Sequence, residues 1–164
     1  MVEANEIRVR RDAAMAALLI RRDASCQAIG ERLGLAPPDR AARTDNAALA
    51  IVGIGPRLCW VMPNAPEVGW IEAVALRLEG IGSLVDLSGA YTIVSLGGSG
   101  VRAQLQRALP LDIGRDVFPR GAAASTVIEH VPVSFWCLPG ESFEIAVPRS
   151  YETSFIDWAE TAMG

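Results

Sequence analysis

The sequence predicts an α+β fold made of two similar halves, residues 14–88 and 89–164, and three observations carry that prediction. Short apolar runs suited to strands recur along the chain, each bounded by turns rich in Gly and Pro. Segments between them place apolar residues at helical spacing, as Val68, Ile71, Ala75 and Leu78 do. A strand–Pro–helix junction also occurs twice: one strand ends at Pro63 before a helix carrying Trp70-Ile71-Glu72, and another ends at Pro148 before a helix carrying Phe155-Ile156-Asp157. Leu33-Gly34-Leu35 and Leu109-Pro110-Leu111 likewise close the first helix of each half. This weak internal repeat favours two packed α+β halves over a doubly wound parallel sheet.

Taken in order, Ala17 to Arg21 is an apolar run of strand length, and Asp23 or Ser25 can cap a helix running to Leu33. Gly34 ends that helix and Pro37-Pro38 prevents its return. Ala47 to Ile54 and Arg57 to Met62 read as strands joined at Gly55-Pro56. Pro66 and Glu67 open a second helix that lasts to Gly80, and Ser83 to Leu87 supplies a further strand. The order is βαββαβ, the ferredoxin-like unit. The second half begins with a strand from Tyr91 to Leu96, turns through Gly97-Gly98, and continues as a helix from Ser99 to Leu109 with Ser99 as its expected N-cap. After an irregular segment come strands over Ala123–Val131, Val133–Leu138 and Phe143–Val147. A final helix runs from Ser150 to Met163 with Phe155, Trp158 and Ala162 on one face, so this half reads βαβββα.

Composition narrows the function classes. Hydrophobic residues make up 51% and charged residues 21%, and there are four Trp, so either the core is large or a partner covers part of the exterior. The net charge of −4, with no basic cluster beyond Arg8-Val9-Arg10-Arg11, leaves no electrostatic footprint for nucleic acid. All fifteen basic residues are Arg, which excludes a Schiff-base lysine, a P-loop lysine and a lysine general base. Cys26, Cys59 and Cys137 lack CxxC spacing and have one His to join them, so buried free thiols in a reducing cytoplasm are expected rather than zinc or disulfides. The run Ala13 to Ile20 is too short and too charged at its flanks for a signal peptide, and no run approaches the roughly 18 residues of a membrane span.

Each candidate for chemistry has a structural alternative. Gly97-Gly98-Ser99-Gly100 joins a strand to a helix and could hold an anion, yet matches neither GxGxxG nor a Walker motif and suits a tight turn with a Ser cap. Asp86 and Ser88, two apart on a strand, share a face as a polar pocket needs. They also suit a strand end at which both cap neighbouring backbone, and that reading is preferred. His130 stands at a strand end with Glu129 on the opposite face and no Ser or Cys at useful spacing, which makes a poor triad. Arg120 and Arg149, beside Gly and Pro in loops, could clamp an anion or a partner's carboxylate, or simply be solvated. No catalytic, cofactor-binding or metal-binding residue emerges. If the chain works through its surface, the interface candidates are Trp60, Trp136, Trp158, Arg120 and Arg149.

The ordered series Val85-Asp86-Leu87-Ser88, Leu96-Gly97-Gly98-Ser99-Gly100, Leu109-Pro110-Leu111-Asp112, Phe118-Pro119-Arg120-Gly121 and Val147-Pro148-Arg149-Ser150 resembles the gamma subunit family of heterotetrameric sarcosine oxidase, from about Leu18 to Trp158. Val85 to Ser88, followed by the Tyr91 strand, Gly97-Gly98 and a helix, also looks like the opening of the folate-binding fold in the glycine-cleavage T-protein. The resemblance implies a noncatalytic structural subunit beside alpha, beta and delta subunits. Those partners would carry FAD, FMN, NAD and tetrahydrofolate, demethylate sarcosine oxidatively and pass its methylene group to tetrahydrofolate. The segment Gly55-Pro56-Arg57-Leu58-Cys59-Trp60 departs from the acidic turn more usual in the family, and the chain is short. A sister complex oxidising N-methylglutamate or another secondary amine therefore remains an alternative, as does an autonomous folate-binding module.

Overall fold

Two five-stranded sheets, antiparallel at every strand pair, organise residues 5–164, the part of the chain that the computed structural model describes. The strands are β1 (Glu6–Arg10), β2 (Ala16–Ile20), β3 (Arg43–Asp45), β4 (Leu49–Gly55), β5 (Leu58–Pro63), β6 (Gly82–Asp86), β7 (Tyr91–Gly97), β8 (Ala123–Ile128), β9 (Val131–Leu138) and β10 (Ser142–Pro148). The helices are α1 (Cys26–Leu33), α2 (Trp70–Arg77), α3 (Val101–Ala108) and α4 (Glu152–Met163), the last preceded by a 3-10 turn over Arg149–Tyr151. The α+β class expected from the sequence is the one observed.

The first unit spans Ala14–Ser88, with strand order β3-β4-β5-β2-β6. Four of these strands follow the ferredoxin-like order, and the three-residue β3, which the sequence reading did not include, extends the edge beside β4. Alternate side chains decide which way the sheet faces. Leu18 and Ile20 of β2, Ile51 of β4, and Cys59 and Val61 of β5 join Ile29 and Leu33 of α1 in one buried cluster. Helix α1 begins as its cap chemistry dictates, with Ser25 Oγ accepting from the Ala28 amide at 3.0 Å. It ends at Gly34, whose φ of 80° is left-handed. The β4–β5 pairing slips a register between Gly53 and Gly55. There a Cβ on Gly53 would lie 2.3 Å from the Arg40 carbonyl oxygen, so the loop over β4 requires glycine. Helix α2 starts at Trp70 rather than Pro66 and has no buried residue of its own; Leu78, just past its end, is fully buried.

The second unit joins Gly89–Gly164 to residues 5–13, in the order β1-β7-β10-β9-β8. Read outward, β7, β10, β9 and β8 repeat the places of β2, β5, β4 and β3. The fifth place, held by β6 in the first unit, is filled from the N-terminus by β1. Arg8, Val9, Arg10 and Arg11 are therefore no free basic cluster. Val9 pairs with Val94, Arg8 and Arg10 form ion pairs with Glu6 (2.8 Å) and Glu144 (2.9 Å), and Arg11 pairs with Glu152. The core of this unit gathers Val94 and Leu96, Val101 and Leu105 of α3, the stacked rings of Phe118 and Phe135 (5.0 Å between centroids) and Phe143. Phe155, Ala159 and Met163 of α4 close it, with Trp158 and Ala162 packed at its margin. Ser99 does not cap α3. The turn through Gly98 (φ 121°) delivers the chain into the helix at Val101, and Gly100 occupies the cap position with no side-chain bond.

Candidate functional site

A polar cluster of the second unit is built around Arg102. Helix α3 aims this side chain inward, 14% exposed, with its guanidinium 5.0 Å from the centre of the Phe143 ring. Its donors reach Glu141 Oε2 at 2.9 Å, the carbonyls of Ile113 and Phe118, and Cys137 Sγ at 3.3 Å. Glu141 sits in the β9–β10 turn with a left-handed φ of 62° and also accepts from the exposed Arg115 at 3.1 Å. Arg102, Arg115, Cys137 and Glu141, with Pro119 and Arg120, line an open cleft of about 400 Å³. The Arg102 hydrogen bond and the two cationic neighbours hold the Glu141 carboxyl below its ordinary range. Burial pushes the Cys137 thiol up against the opposing pull of Arg102. Such an arrangement ties the loop over Ile113 to Phe118 onto the sheet. It presents no activated nucleophile, because the thiol is held protonated.

The first unit carries a more apolar cleft of about 440 Å³ between the start of α1, the Pro37–Ala41 loop and the β4–β5 turn. Arg57, left-handed at φ 58°, donates from its guanidinium to the Ile20 and Ala24 carbonyls at 3.2 and 2.6 Å. Cys59 lies at the floor, where burial first and the neighbouring Cys26 second push its thiol up to about 12. A thiol so placed is inert at neutral pH.

The residues singled out from the sequence are scattered. Asp86 accepts from the Ser88 amide at 2.9 Å, which lowers its carboxyl, while Ser88 Oγ exchanges hydrogen bonds with the Met15 backbone at 3.2 and 3.3 Å. That is the strand-end arrangement. Glu129 and His130 are not on opposite strand faces: both have positive φ, 46° and 69°, and form the two-residue turn between β8 and β9. Arg149 donates to the Arg11 carbonyl and lies 3.8 Å from Glu152, whereas Arg120 is exposed at its cleft. Trp60 and Trp136 are buried, the latter donating its indole N–H to Glu144 at 2.9 Å, and Trp158 is half-buried beside Phe155 at 5.2 Å. A buried indole has little surface to offer a partner, so the interface reading passes from Trp60 and Trp136 to exposed side chains. The sequence reading missed Arg102 and Glu141, which carry no motif and are brought together only by the fold. Among the described residues no group of three His, Cys, Asp or Glu side chains could hold a metal ion, and no helix is long and apolar enough to cross a membrane.

No family model matches the chain. A curated relative, the sarcosine oxidase gamma subunit of Corynebacterium sp. (strain P-1), is 25% identical over 115 residues, which is 70% of this chain and 56% of that protein. The chain thus matches only about half the length of this relative. Among solved structures, a chain of the heterotetrameric sarcosine oxidase from Corynebacterium sp. U-96 superposes with a TM-score of 0.85 at 20% identity, covering 97% of this chain and 83% of that one. The glycine cleavage aminomethyltransferase T of Bartonella henselae superposes with a TM-score of 0.69 at 14% identity, covering 98% of this chain and 46% of that one. By sequence the chain is similar to a sarcosine oxidase gamma subunit, and by fold to a chain of a heterotetrameric sarcosine oxidase.

Proposed function

We propose that this chain is the noncatalytic structural subunit of a cytoplasmic, flavin-dependent, sarcosine-oxidase-type heterotetramer. In that assembly, alpha, beta and delta partners hold FAD, FMN, NAD and tetrahydrofolate, oxidise a secondary amine and pass its methylene group to tetrahydrofolate. The observation that carries the proposal is the fold match over 97% of the chain to a heterotetrameric sarcosine oxidase chain, joined to the sequence match to a gamma subunit. Whether the amine is sarcosine or N-methylglutamate is then decided in the flavoprotein partner. Co-expression with candidate alpha, beta and delta subunits tests the proposal: one complex should co-elute, and its amine-oxidising activity should fall when this chain is omitted. Assembly and activity unchanged without it would refute the reading.

The likeness to aminomethyltransferase T supports a second reading, an autonomous folate-binding module. Titration of the isolated chain with tetrahydrofolate separates the two. The subunit reading expects no binding at micromolar concentration, since Arg57, one of the two arginines lining the apolar cleft, is already committed to backbone carbonyls.

A further inference from the structure

We propose that the cleft over Arg102 binds the phosphate group of a small molecule, held by Arg115 and Arg120 at its open side and by Arg102 at its back. The inference goes beyond the subunit reading and does not depend on it. Three arginines, Arg102, Arg115 and Arg120, line this cleft with one carboxylate, Glu141, which leaves a net charge of +2 there. The chain as a whole carries −4, so the cleft runs against the charge of the molecule around it. Asp112 and Asp116, the acids of the adjoining loop, do not line it, and Asp112 already accepts from the Gly114 amide at 2.7 Å. Arg120 comes from the Phe118-Pro119-Arg120-Gly121 motif, whose exit is pinned to β9: the Gly121 amide donates to the Cys137 carbonyl at 2.9 Å, and the Cys137 amide to the Ala122 carbonyl at 3.0 Å. That pairing fixes the Arg120 backbone at the rim.

The geometry leaves donors unused. Each Glu141 oxygen accepts from the Nε of a different arginine, Oε2 from Arg102 at 2.9 Å and Oε1 from Arg115 at 3.1 Å, so one carboxylate holds two guanidinium groups side by side. A guanidinium has five N–H donors. Arg102 uses four of them, on Glu141, the Ile113 and Phe118 carbonyls and Cys137 Sγ, and one N–H of its Nη2 has no acceptor among the described residues. Arg115 uses its Nε, and its two terminal amino groups have no acceptor among the described residues. Arg120, exposed, makes no hydrogen bond or ion pair with them at all. Cations gathered around a single carboxylate repel one another, and a second anion set between them relieves the repulsion. A phosphate group suits the place better than a carboxylate. It brings a charge of about −1.5 to −2 and three acceptor oxygens, one for each guanidinium. A volume of about 400 Å³ also leaves room for the group that the phosphate is attached to.

The test titrates inorganic phosphate, phenyl phosphate and acetate into the full chain at low ionic strength and follows binding by calorimetry. Phosphate should saturate one site with a Kd of about 1 mM or tighter, phenyl phosphate should bind at least as well, and acetate should bind at least about tenfold more weakly. Arg115→Gln with Arg120→Gln should weaken phosphate binding at least about tenfold. Both side chains are exposed, so the double variant should melt within about 3 °C of the parent when no anion is present. Arg120→Gln alone, which breaks no contact with the described residues, should already cost about threefold in affinity. Arg107→Gln, at an exposed arginine of α3 that does not line the cleft, should change nothing. The proposal is overturned if phosphate shows no saturable binding, if acetate binds as well, if Arg107→Gln weakens binding as much as the double variant, or if a folded Arg115/Arg120 variant binds like the parent. Phenyl phosphate binding at least about tenfold more weakly than phosphate would overturn the attached small molecule and leave a site for the free ion.

Discussion

Replacing Arg102 by Met removes the donors that hold the Ile113–Phe118 loop to the β9–β10 turn while keeping a long apolar stem over Phe143. The substitution leaves the carbonyls of Ile113 and Phe118 without these charged donors, takes one of two cations from Glu141, and ends the contact with Cys137 Sγ. A hydrogen bond to a charged group contributes on the order of 1.5–3 kcal/mol, and bonds made by one side chain do not add. Water can reach the open side of the cleft and replace part of the loss, so the expected destabilisation is about 3 kcal/mol. For a chain of this size that is a fall in Tm of roughly 6–12 °C. Arg102→Lys restores the charge but not the fork and should recover about half. Acid sensitivity supplies a second readout. The folded-state pKa of Glu141 is depressed, so its ion pairs contribute stability above the unfolded value of roughly 4.3 and lose it as pH falls through the folded value. Below that range the difference between the parent and Arg102→Met chains should shrink by the Glu141 share and persist for the bonds to the Ile113 and Phe118 carbonyls, which do not titrate. Urea unfolding of both proteins between pH 3 and 7 measures this. A difference at pH 7 within about 0.5 kcal/mol, or one that does not shrink in acid, would refute the assignment of Arg102 as the tie between loop and sheet.

Two further substitutions probe the backbone. Gly53→Ala should destabilise the chain by about 2–3 kcal/mol, because the new Cβ would press on the Arg40 carbonyl at 2.3 Å, whereas Gly55→Ala, which meets nothing, should stay within about 0.5 kcal/mol. Equal melting temperatures for the two variants would contradict the close approach. Glu129→Asn with His130→Gly should raise stability by roughly 1 kcal/mol in thermal unfolding, since both residues hold positive φ in a two-residue hairpin turn that Asn-Gly prefers. A drop in Tm would contradict that turn assignment.

Much of the unit Ala14–Ser88 is written locally. Ser25 caps α1 and Gly34 ends it, Gly55 and Pro56 join β4 to β5, and the apolar runs fall on β2, β4 and β5, because each of these features depends on residues within a few positions. The sequence by itself therefore determined the α+β class and, through the strand–Pro–helix junctions at Pro63 and Pro148, the repetition of one plan. It could not place β1. Glu6, Arg8 and Arg10 alternate with half-buried Ile7 and Val9, a pattern as compatible with a charged surface segment as with an edge strand. What makes it a strand is the row of backbone groups offered by β7, more than eighty residues away, and no local signal reports that partner. The same limit applied to the functional side chains. Arg102 and Glu141 lie in separate elements with no shared motif, and only the closing of the sheet brought them to 2.9 Å. Periodicity placed Val68 on a helical face, whereas the structure leaves it in water in the turn before α2 and exposes Leu76 near the end of that helix. Hydrophobic spacing records which residues favour burial, whereas the tertiary structure decides how much surface the chain has available to bury them.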